Sequence, residues 1–333
     1  MNFANFASEM DFTRTILDWY ATCGRDLPWR RTRDPYAVWL SEVILQQTRV
    51  AQGRAYWERF MERFPTVEAL AAAPEDEVLR LWQGLGYYSR ARNLHAAAKQ
   101  VVSLGGFPAT LKGLRSLKGV GDYTATAVGS IAFGLPAAVV DGNVYRVLAR
   151  YFGIATPVGT AAAAKEFTAL ASRLLPEDSP AAFNQGMMDF GATCCTPVNP
   201  ACDTCPLAAS CLAFATGRVE LLPVKKAATK PVDRHLTYVY VRFEGQVAIH
   251  RRGPGDIWQG LWEPWLTDEV PAGARPIVRG FKHQLTHRTL LADFWLWEPS
   301  ERPSLPEGYR WIKEAELDAY AKPRLFELLL AKV

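Results

Sequence analysis

Residues 191–211 read GATCCTPVNPACDTCPLAASC, and five of the six cysteines of the chain lie in this stretch. Within it, Cys195, Cys202, Cys205 and Cys211 follow the spacing C-x6-C-x2-C-x5-C. Thiolates this close together in one loop converge on a metal ion or an iron–sulfur cluster. The prolines between them interrupt any helix, so the loop takes its shape from what it binds. The spacing alone does not choose zinc over iron–sulfur.

Two further cysteines have other interpretations. Cys194 competes with Cys195 for the position of first ligand, and the distant Cys23 is expected to be an ordinary buried thiol. Pairing the central cysteines as disulfides would require an oxidising compartment. The N-terminal sequence MNFANFASEMDFTR contains acidic residues, which signal and transit peptides lack. We therefore expect a soluble, intracellular protein with reduced cysteines.

The length of 333 residues predicts two domains, and a hydrophobic content of 49% is enough for two large cores. No apolar run is long enough to span a membrane, so a membrane partner is not expected. The 38 basic and 34 acidic residues leave a net charge of only +4. A total so small does not by itself indicate a nucleic-acid partner.

The first two thirds of the chain are predicted to be helical. Apolar residues recur at helical spacing in 12–21, 37–64 and 76–85, and alanine-rich helices are expected at 124–134 and 160–175. The prolines and lysines of 218–233 indicate a linker.

The alternating, β-branched segment 236–252 predicts a hairpin turning at Glu244 and Gly245. Residues 290–299 predict a further strand, and 325–333 a closing helix. We therefore expect a helical domain over 1–217, a linker over 218–233 and an α+β domain over 234–333.

Gly119, Val120 and Gly121 lie between two predicted helices. Glycines allow a tight turn with exposed backbone amides, and the positive N-terminal end of the second helix would point outward. Together these features can bind a phosphate. A simple helix–helix turn would have the same short sequence.

Two carboxylates are candidates for chemistry. Glu42 lies near an apolar helix face, where a carboxyl group must be paired, exposed or kept protonated. Asp141 follows an apolar stretch. A solvated helix acid at Glu42 and a helix N-cap at Asp141 are the alternative interpretations.

Longer motifs give a family resemblance. The cysteine loop is similar to the [4Fe–4S] loop of the endonuclease III superfamily of DNA glycosylases. The frame L-x-G-x-G-x-x-T-A resembles a helix-hairpin-helix element, with Lys118 where many members have proline. The segments RDLPWR, DPYAVWLSEVILQQTRV, GLGYYSRARNLH, VDGNVYRVLAR and FNQGMMDFGATCCT resemble those of MutY-type A/G-specific adenine DNA glycosylases. The resemblance extends from about residue 18 to 220.

This resemblance implies a reaction. Adenine mispaired with 8-oxoguanine or guanine would be cut from its deoxyribose, in base excision repair of double-stranded DNA. Glu42 would protonate adenine, and Asp141 would stabilise the sugar cation, a logic shared with glycoside hydrolysis. Tyr123 and Asn143 resemble the supporting residues of these carboxylates. A monomer acting at the nucleoid of a bacterial cytoplasm is implied.

The target adenine must leave the base stack before it can react. Gln47 and Tyr87 resemble residues that wedge into the duplex, whereas the other aromatic residues of these motifs are expected to pack in the core. Lys118, Gly119, Val120 and Gly121 would bind DNA phosphate. The residues implied for the adenine pocket are Arg25, Leu27, Trp29, Arg30 and Gln185.

Two further expectations follow from the resemblance. Bifunctional relatives have a nucleophilic lysine at the position of Tyr123, so this chain is expected to be monofunctional. The C-terminal segment resembles a Nudix-like domain without the glutamate-rich Nudix box. Its loop Leu285, Thr286 and His287 would recognise 8-oxoguanine. A pyrimidine glycosylase/lyase and a lesion-binding module without catalysis are the alternative functions.

Overall fold

The computed structural model describes residues 3–226 and 231–333, with side chains from residue 9 onward. Residues 227–230 of the predicted linker lie outside the described residues. The chain divides into two compact units. The first falls within Met1–Arg49 and Gln100–Ala227, and the second within Val50–Lys99 and Ala228–Val333.

Helices dominate the described chain up to residue 226, as the sequence predicts. They are α1 (Phe3–Cys23), α2 (Pro35–Leu45), α3 (Val50–Arg63), α4 (Val67–Ala72), α5 (Glu75–Leu81), α6 (Ser89–Ser103), α7 (Leu111–Arg115), α8 (Asp122–Phe133), α9 (Gly142–Phe152), α10 (Ala161–Leu174), α11 (Pro180–Thr193) and α12 (Leu212–Ala215).

Local sequence signals set many helix ends. The side chains of Thr66, Thr110 and Thr160 accept hydrogen bonds from the first turns of α4, α7 and α10. Gly134 and Gly153 end α8 and α9 in the left-handed conformation, each with a φ of 66°. These caps explain why the predicted alanine-rich helices begin and end close to where the sequence places them.

The stretch 37–64, where apolar residues recur at helical spacing, contains two helices. Helix α2 ends at Leu45 and α3 begins at Val50. Gln47 between them has a φ of 55°, a left-handed conformation that stops an α-helix. Continuous apolar spacing did not reveal this break.

The second unit contains a seven-stranded mixed sheet. Its strands are β1 (Val232–Phe243), β2 (Gln246–Arg251), β3 (Trp262–Glu263), β4 (Trp265–Leu266), β5 (Arg275–Gln284), β6 (Arg288–Trp297) and β7 (Tyr309–Lys313). The order β3-β2-β1-β6-β5 forms the main path, with β4 beside β1 and β7 beside β2. Strands β1 and β6 are parallel, and the other pairs are antiparallel.

The predicted hairpin and closing helix are confirmed. Glu244 and Gly245 join β1 to β2 with positive φ values of 47° and 71°, the combination that favours a two-residue hairpin turn. One face of β6 is buried through the alternating residues Leu290, Ala292 and Phe294, and α13 (Arg324–Leu330) contributes to the same core. A helical N-terminal region and a smaller sheet-containing C-terminal region therefore make up the fold.

Candidate active site

Glu42 lies on α2, which is buried along almost its whole length. The sequence PYAVWLSEVIL is apolar nearly all round, so the helix belongs in the core rather than at the surface. Asp34 caps its start by accepting a hydrogen bond from the Tyr36 amide at 3.0 Å. This placement leaves Glu42 only 8% exposed.

The Tyr123 hydroxyl donates a hydrogen bond of 2.9 Å to Oε2 of Glu42. Burial raises the pKa of Glu42 from 4.5 to about 7. The hydrogen bond from Tyr123 and the charge of Arg30 lower this pKa, and the charge of Asp141 raises it. Glu42 can therefore hold a proton near neutral pH.

Asp141 is the N-cap of α9. Its Oδ1 accepts hydrogen bonds from the amides of Asn143 at 2.9 Å and Val144 at 2.8 Å, and its Oδ2 accepts one from Asn143 Nδ2 at 2.8 Å. Burial raises the pKa of Asp141, while these hydrogen bonds and the charge of Arg146 oppose the rise. Asp141 is therefore both the N-cap of α9 and a candidate catalytic residue.

Asp189 is a residue that the sequence reasoning missed. It is fully buried and accepts hydrogen bonds from Arg25 Nε at 2.7 Å and Arg30 Nη2 at 2.7 Å, together with further bonds from both arginines. Arg30 is one of the charges that act on Glu42. The position of Asp189, four residues after Gln185 on the same helix face, is the sequence signal that could have found it.

Other residues predicted for the adenine pocket lie in or near the core, whereas the predicted wedge residue Gln47 lies at the surface. Leu27 and Trp29 are buried, and the Tyr20 hydroxyl donates to Oε1 of Gln185 at 2.6 Å. Gln47 is exposed, in the left-handed turn between α2 and α3. Tyr20 was not predicted.

The predicted phosphate hairpin joins α7 to α8. Gly119 has a φ of 75°, in the left-handed region that favours glycine, and Gly121 is the N-cap of α8. The Lys118 amide donates to Oε1 of Gln100 at 2.7 Å, and the Val120 amide donates to the Leu117 carbonyl at 3.1 Å. Two of the four predicted amides therefore have internal partners. Lys118 presents an exposed side chain.

The cysteine loop borders a small pocket with a cavity volume of about 30 Å³ that opens to solvent. Its lining includes Cys195, Cys202, Cys205 and Cys211. Among residues 3–226 and 231–333, no three acidic, histidine or cysteine side chains are close enough to share one metal ion. A multi-iron cluster binds its thiolates at different iron atoms, so four thiols around one cavity fit a cluster.

A cation borders this pocket. Arg150 is 3% exposed, and its Nη1 donates to Cys195 Sγ at 3.4 Å and to the Thr196 carbonyl at 2.7 Å. Its positive charge suits a site built from thiolates. Arg146, one turn earlier, donates to the Cys195 carbonyl at 2.7 Å and to Asn143 Oδ1 at 2.9 Å. Neither arginine was predicted.

The distant cysteine was predicted wrongly. Cys23 is exposed, not buried, because it lies at the last residue of α1 and not on the face that packs in the core. Cys194 lines the same pocket as the four predicted ligands.

Tyr87 belongs to the second unit and is 44% exposed. Its φ of 44° is left-handed, which is uncommon for a tyrosine. The guanidinium of Arg90 lies 5.6 Å from the centre of the Tyr87 ring and 5.0 Å from that of Trp82. Arg90 Nη2 also donates to the Leu85 carbonyl at 3.2 Å. Trp82 is fully buried, as expected.

The loop Leu285–Thr286–His287 joins β5 to β6. The Tyr87 hydroxyl contacts the Thr286 hydroxyl, so two segments that are distant in sequence meet here. Thr286 and His287 are exposed, whereas Leu285 packs against the core of the sheet.

Three family profiles match the chain. The profile of the HhH-GPD superfamily base excision DNA repair protein covers residues 40–175. The iron–sulfur binding domain of endonuclease III covers residues 195–211, and a NUDIX domain covers residues 237–332. The expected iron–sulfur loop and Nudix-like domain are thereby confirmed.

Proteins similar to this chain agree with these profiles. The adenine DNA glycosylase of Rattus norvegicus is 44% identical over 235 residues, which are 66% of this chain and 46% of that protein. The adenine DNA glycosylase of Buchnera aphidicola subsp. Baizongia pistaciae is 32% identical over 295 residues, 84% of each chain. This chain thus spans less than half the length of the rat relative. A solved thermostable thymine-DNA glycosylase shares 33% identity with a TM-score of 0.58, covering 64% of this chain and 99% of that one.

The helical fold, the hairpin and the iron–sulfur loop define a helix-hairpin-helix protein of base excision DNA repair. Within that class, the chain belongs to the adenine DNA glycosylase family, as its identity to the Buchnera protein over most of both lengths shows. In the described ranges, no helix has the length and apolarity needed to cross a membrane.

Proposed function

We propose that this protein is a monofunctional DNA glycosylase that excises adenine mispaired with 8-oxoguanine or guanine. The observation that carries the proposal is the buried Glu42 carboxyl with a pKa of about 7 beside Asp141. Adenine leaves the sugar readily only after it gains a proton, so a carboxylic acid that stays protonated near neutral pH is the group that the reaction needs.

Glu42 acts as the acid. Its neutral form donates a proton to the flipped adenine, and the resulting carboxylate then orients or deprotonates the attacking water. The hydrogen bond from Tyr123 holds Oε2 in place and stabilises the carboxylate after the transfer. Burial raises the pKa of Glu42 and so keeps its proton bound until it is transferred to adenine.

Asp141 faces the sugar as positive charge develops on it. The amides at the start of α9 and the Asn143 side chain hold both of its oxygens in fixed directions. A preorganised carboxylate stabilises the oxocarbenium-like transition state, or attacks it transiently. Asn143 is proposed as the residue that positions it.

The adenine pocket uses a buried network of charges. Asp189 fixes the guanidinium groups of Arg25 and Arg30, and Tyr20 fixes the side-chain amide of Gln185. Donors that are already oriented lose little entropy when they bind a base edge. Leu27 and Trp29 supply the adjoining apolar wall, and they complete the proposed pocket.

Gln47 and Tyr87 are proposed to enter the duplex where the adenine leaves it. Both are exposed and both have left-handed backbones, conformations that persist only where the surrounding structure holds them. The exposed Lys118, with the amides of Gly119 and Gly121, is proposed to bind DNA phosphate.

The C-terminal region is proposed to recognise the base opposite adenine. Thr286 and His287 are exposed and can hydrogen-bond 8-oxoguanine, and the contact of Thr286 with Tyr87 supports a joint role. Leu285 packs against the protein core, which supports a structural part for it within this loop. We propose a glycosylase domain over 1–217, a linker over 218–233 and a recognition domain over 234–333; the matched profiles, over 40–175, 195–211 and 237–332, each fall within one of these domains.

The iron–sulfur group is proposed to be one [4Fe–4S] cluster held by Cys195, Cys202, Cys205 and Cys211. Bound there, it would supply a rigid, redox-capable clamp for the loop and take no part in hydrolysis. We propose a monomer that acts on double-stranded DNA at the nucleoid.

A single-turnover assay tests this function, using a duplex with one 8-oxoguanine:adenine pair. We expect free adenine and a strand that stays intact until alkali cleaves it. Tyr123 at the position of the relatives' lysine leaves no amine for a Schiff base, so direct nicking would contradict the proposal. Tight binding without product would also contradict it.

A second candidate follows from the likeness to a thymine-DNA glycosylase. That structure covers 64% of this chain, whereas the Nudix profile extends to residue 332 and the adenine DNA glycosylase of Buchnera covers 84%. A guanine:thymine duplex in the same assay decides between the two, because thymine release without adenine release would favour the second candidate.

A further inference from the structure

The pocket of the cysteine loop is lined by five thiols, one more than the four-cysteine pattern requires. The additional thiol is that of Cys194, directly before Cys195. Both precede Cys202, with seven and six intervening residues respectively. Adjacent residues on a helix point about 100° apart, so two neighbouring thiols seldom reach one cavity.

The end of α11 explains how both thiols reach it. The amides of Cys194 and Cys195 both donate to the Phe190 carbonyl, at 3.0 and 2.8 Å. This shared acceptor tightens the last turn as the chain leaves the helix. The Cys194 carbonyl then accepts a hydrogen bond of 3.1 Å from the Ala201 amide, which closes the loop against the helix end. Cys194 is therefore fixed at the edge of the pocket by its backbone.

The two thiols differ in their neighbours. Cys195 Sγ accepts a hydrogen bond from the buried cation of Arg150, at 3.4 Å. The thiol of Cys194 instead shares a side-chain hydrogen bond with Cys205, another residue of the pocket lining. A thiolate next to a guanidinium is stabilised, so Cys195 is the better ligand when both are present. Cys194 has the same chemistry without that cation.

We propose that Cys194 is a spare iron ligand, able to take the position of Cys195 so that either adjacent thiol completes the set with Cys202, Cys205 and Cys211. Where Cys194 replaces Cys195, the sulfur–iron bond of Cys195 would break as that of Cys194 forms, and the proton released by Cys194 would be balanced by one taken up by the freed Cys195 thiolate, so no electron is transferred. The loop accepts either ligand because the two residues share one backbone anchor. This inference rests on the iron–sulfur loop and is independent of the catalytic assignments.

Iron and sulfide content and visible absorbance of purified protein test the proposal. The variants are Cys194→Ser, Cys195→Ser, the double variant, and Cys202→Ser as the matched loss control. We expect both single variants at the adjacent positions to retain most of the wild-type iron. The iron content of the double variant should fall to that of Cys202→Ser, roughly five-fold or more below that of either single variant. An iron-free or insoluble Cys195→Ser beside an iron-loaded Cys194→Ser would overturn the proposal.

Thiol alkylation followed by mass spectrometry gives a second readout. Cys23 is exposed and labels in every variant, so it serves as the internal standard. In the wild type we expect Cys194 to label while the four ligands are protected. In Cys195→Ser, Cys194 should become protected. Continued labelling of Cys194 in that variant would show that another group holds the iron, and would also overturn the proposal.

Discussion

The buried position of Glu42 favours the neutral form of its carboxyl group, so ionising this group lowers the stability of the folded state. Its pKa rises from 4.5 to about 7 on burial, so the folded state binds a proton that the unfolded state has lost. Stability contributed by this group is therefore complete below about pH 4.5 and is lost as pH rises through about 7.

Glu42→Gln should stabilise the protein at pH 8, because a neutral amide replaces a buried charge. The gain in free energy of unfolding should approach at most about 3 kcal/mol at pH 8 and vanish near pH 4. Denaturant unfolding at several pH values measures it, with the exposed Glu62→Gln as the control. An equal effect at both pH values would contradict the raised pKa.

Asp141→Asn separates catalysis from capping. Asparagine caps helices about as well as aspartate, so the free energy of unfolding should change by less than about 1 kcal/mol. In the proposed mechanism this variant lacks the negative charge that stabilises the sugar cation, so the single-turnover rate should fall by roughly 100-fold or more. A variant that kept its rate, or that lost it only by unfolding, would count against the assignment.

The sequence predicted the two carboxylates through long motifs, and the structure brings Glu42 and Asp141 within electrostatic reach of each other. It did not predict Asp189 or Arg146, whose importance lies in partners that are distant in sequence. The spacing of Asp189 four residues after Gln185 was present in the sequence but was not used, and a single basic residue such as Arg146 has too many ordinary surface roles to reveal its distant partners.

At the scale of elements, regular patterns predicted most helices and strands. Periodicity, caps and the hairpin at Glu244 and Gly245 depend on residues that are close in sequence, so they can be predicted from the sequence alone. The break at Gln47 was missed, because apolar spacing continues through it. The grouping of Val50–Lys99 with the C-terminal region was also not predicted, since it depends on contacts between distant segments.

The segment from Trp82 to Arg90 gives a prediction at this scale. Arg90 stacks near the rings of Trp82 and Tyr87 and donates to the Leu85 carbonyl, so it holds Tyr87 in its left-handed conformation. Arg90→Met should slow single-turnover excision roughly ten-fold, because an unordered wedge enters the duplex less often.

A double-mutant cycle with Tyr87→Ala shows whether Arg90 acts through Tyr87. The second substitution should then add little to the first. Arg92→Met on the same helix is the matched control, since Arg92 donates to the Gln259 carbonyl rather than to this segment. Fully additive losses would mean that Arg90 does not act through Tyr87.

At the scale of the whole chain, the order of regions was predictable because each carries its own sequence signature. The cysteine spacing, the glycine hairpin and the alternating strands correspond to the three matched profiles. The unpredicted loop contact between Tyr87 and Thr286 joins residues 199 positions apart. No local pattern encodes such a contact.

His287→Ala should narrow the preference for 8-oxoguanine over guanine opposite adenine, because in the proposed function His287 supplies one hydrogen-bonding group to the lesion. We expect the ratio of the two single-turnover rates to fall by roughly three- to ten-fold, which corresponds to the loss of about one hydrogen bond. Lys313→Ala, an exposed change on β7, is the control. An unchanged ratio would remove His287 from lesion recognition.

The pH dependence of single-turnover adenine release tests the central role of Glu42 most directly. With a Glu42 pKa of about 7 and an ionised Asp141, the rate should be highest just below pH 7, fall about ten-fold per pH unit above it, and fall again at acid pH as Asp141 takes up a proton; Glu42→Gln should release no adenine at any pH. A rate that stays level through pH 9, or a Glu42→Gln variant with wild-type turnover, would contradict the account.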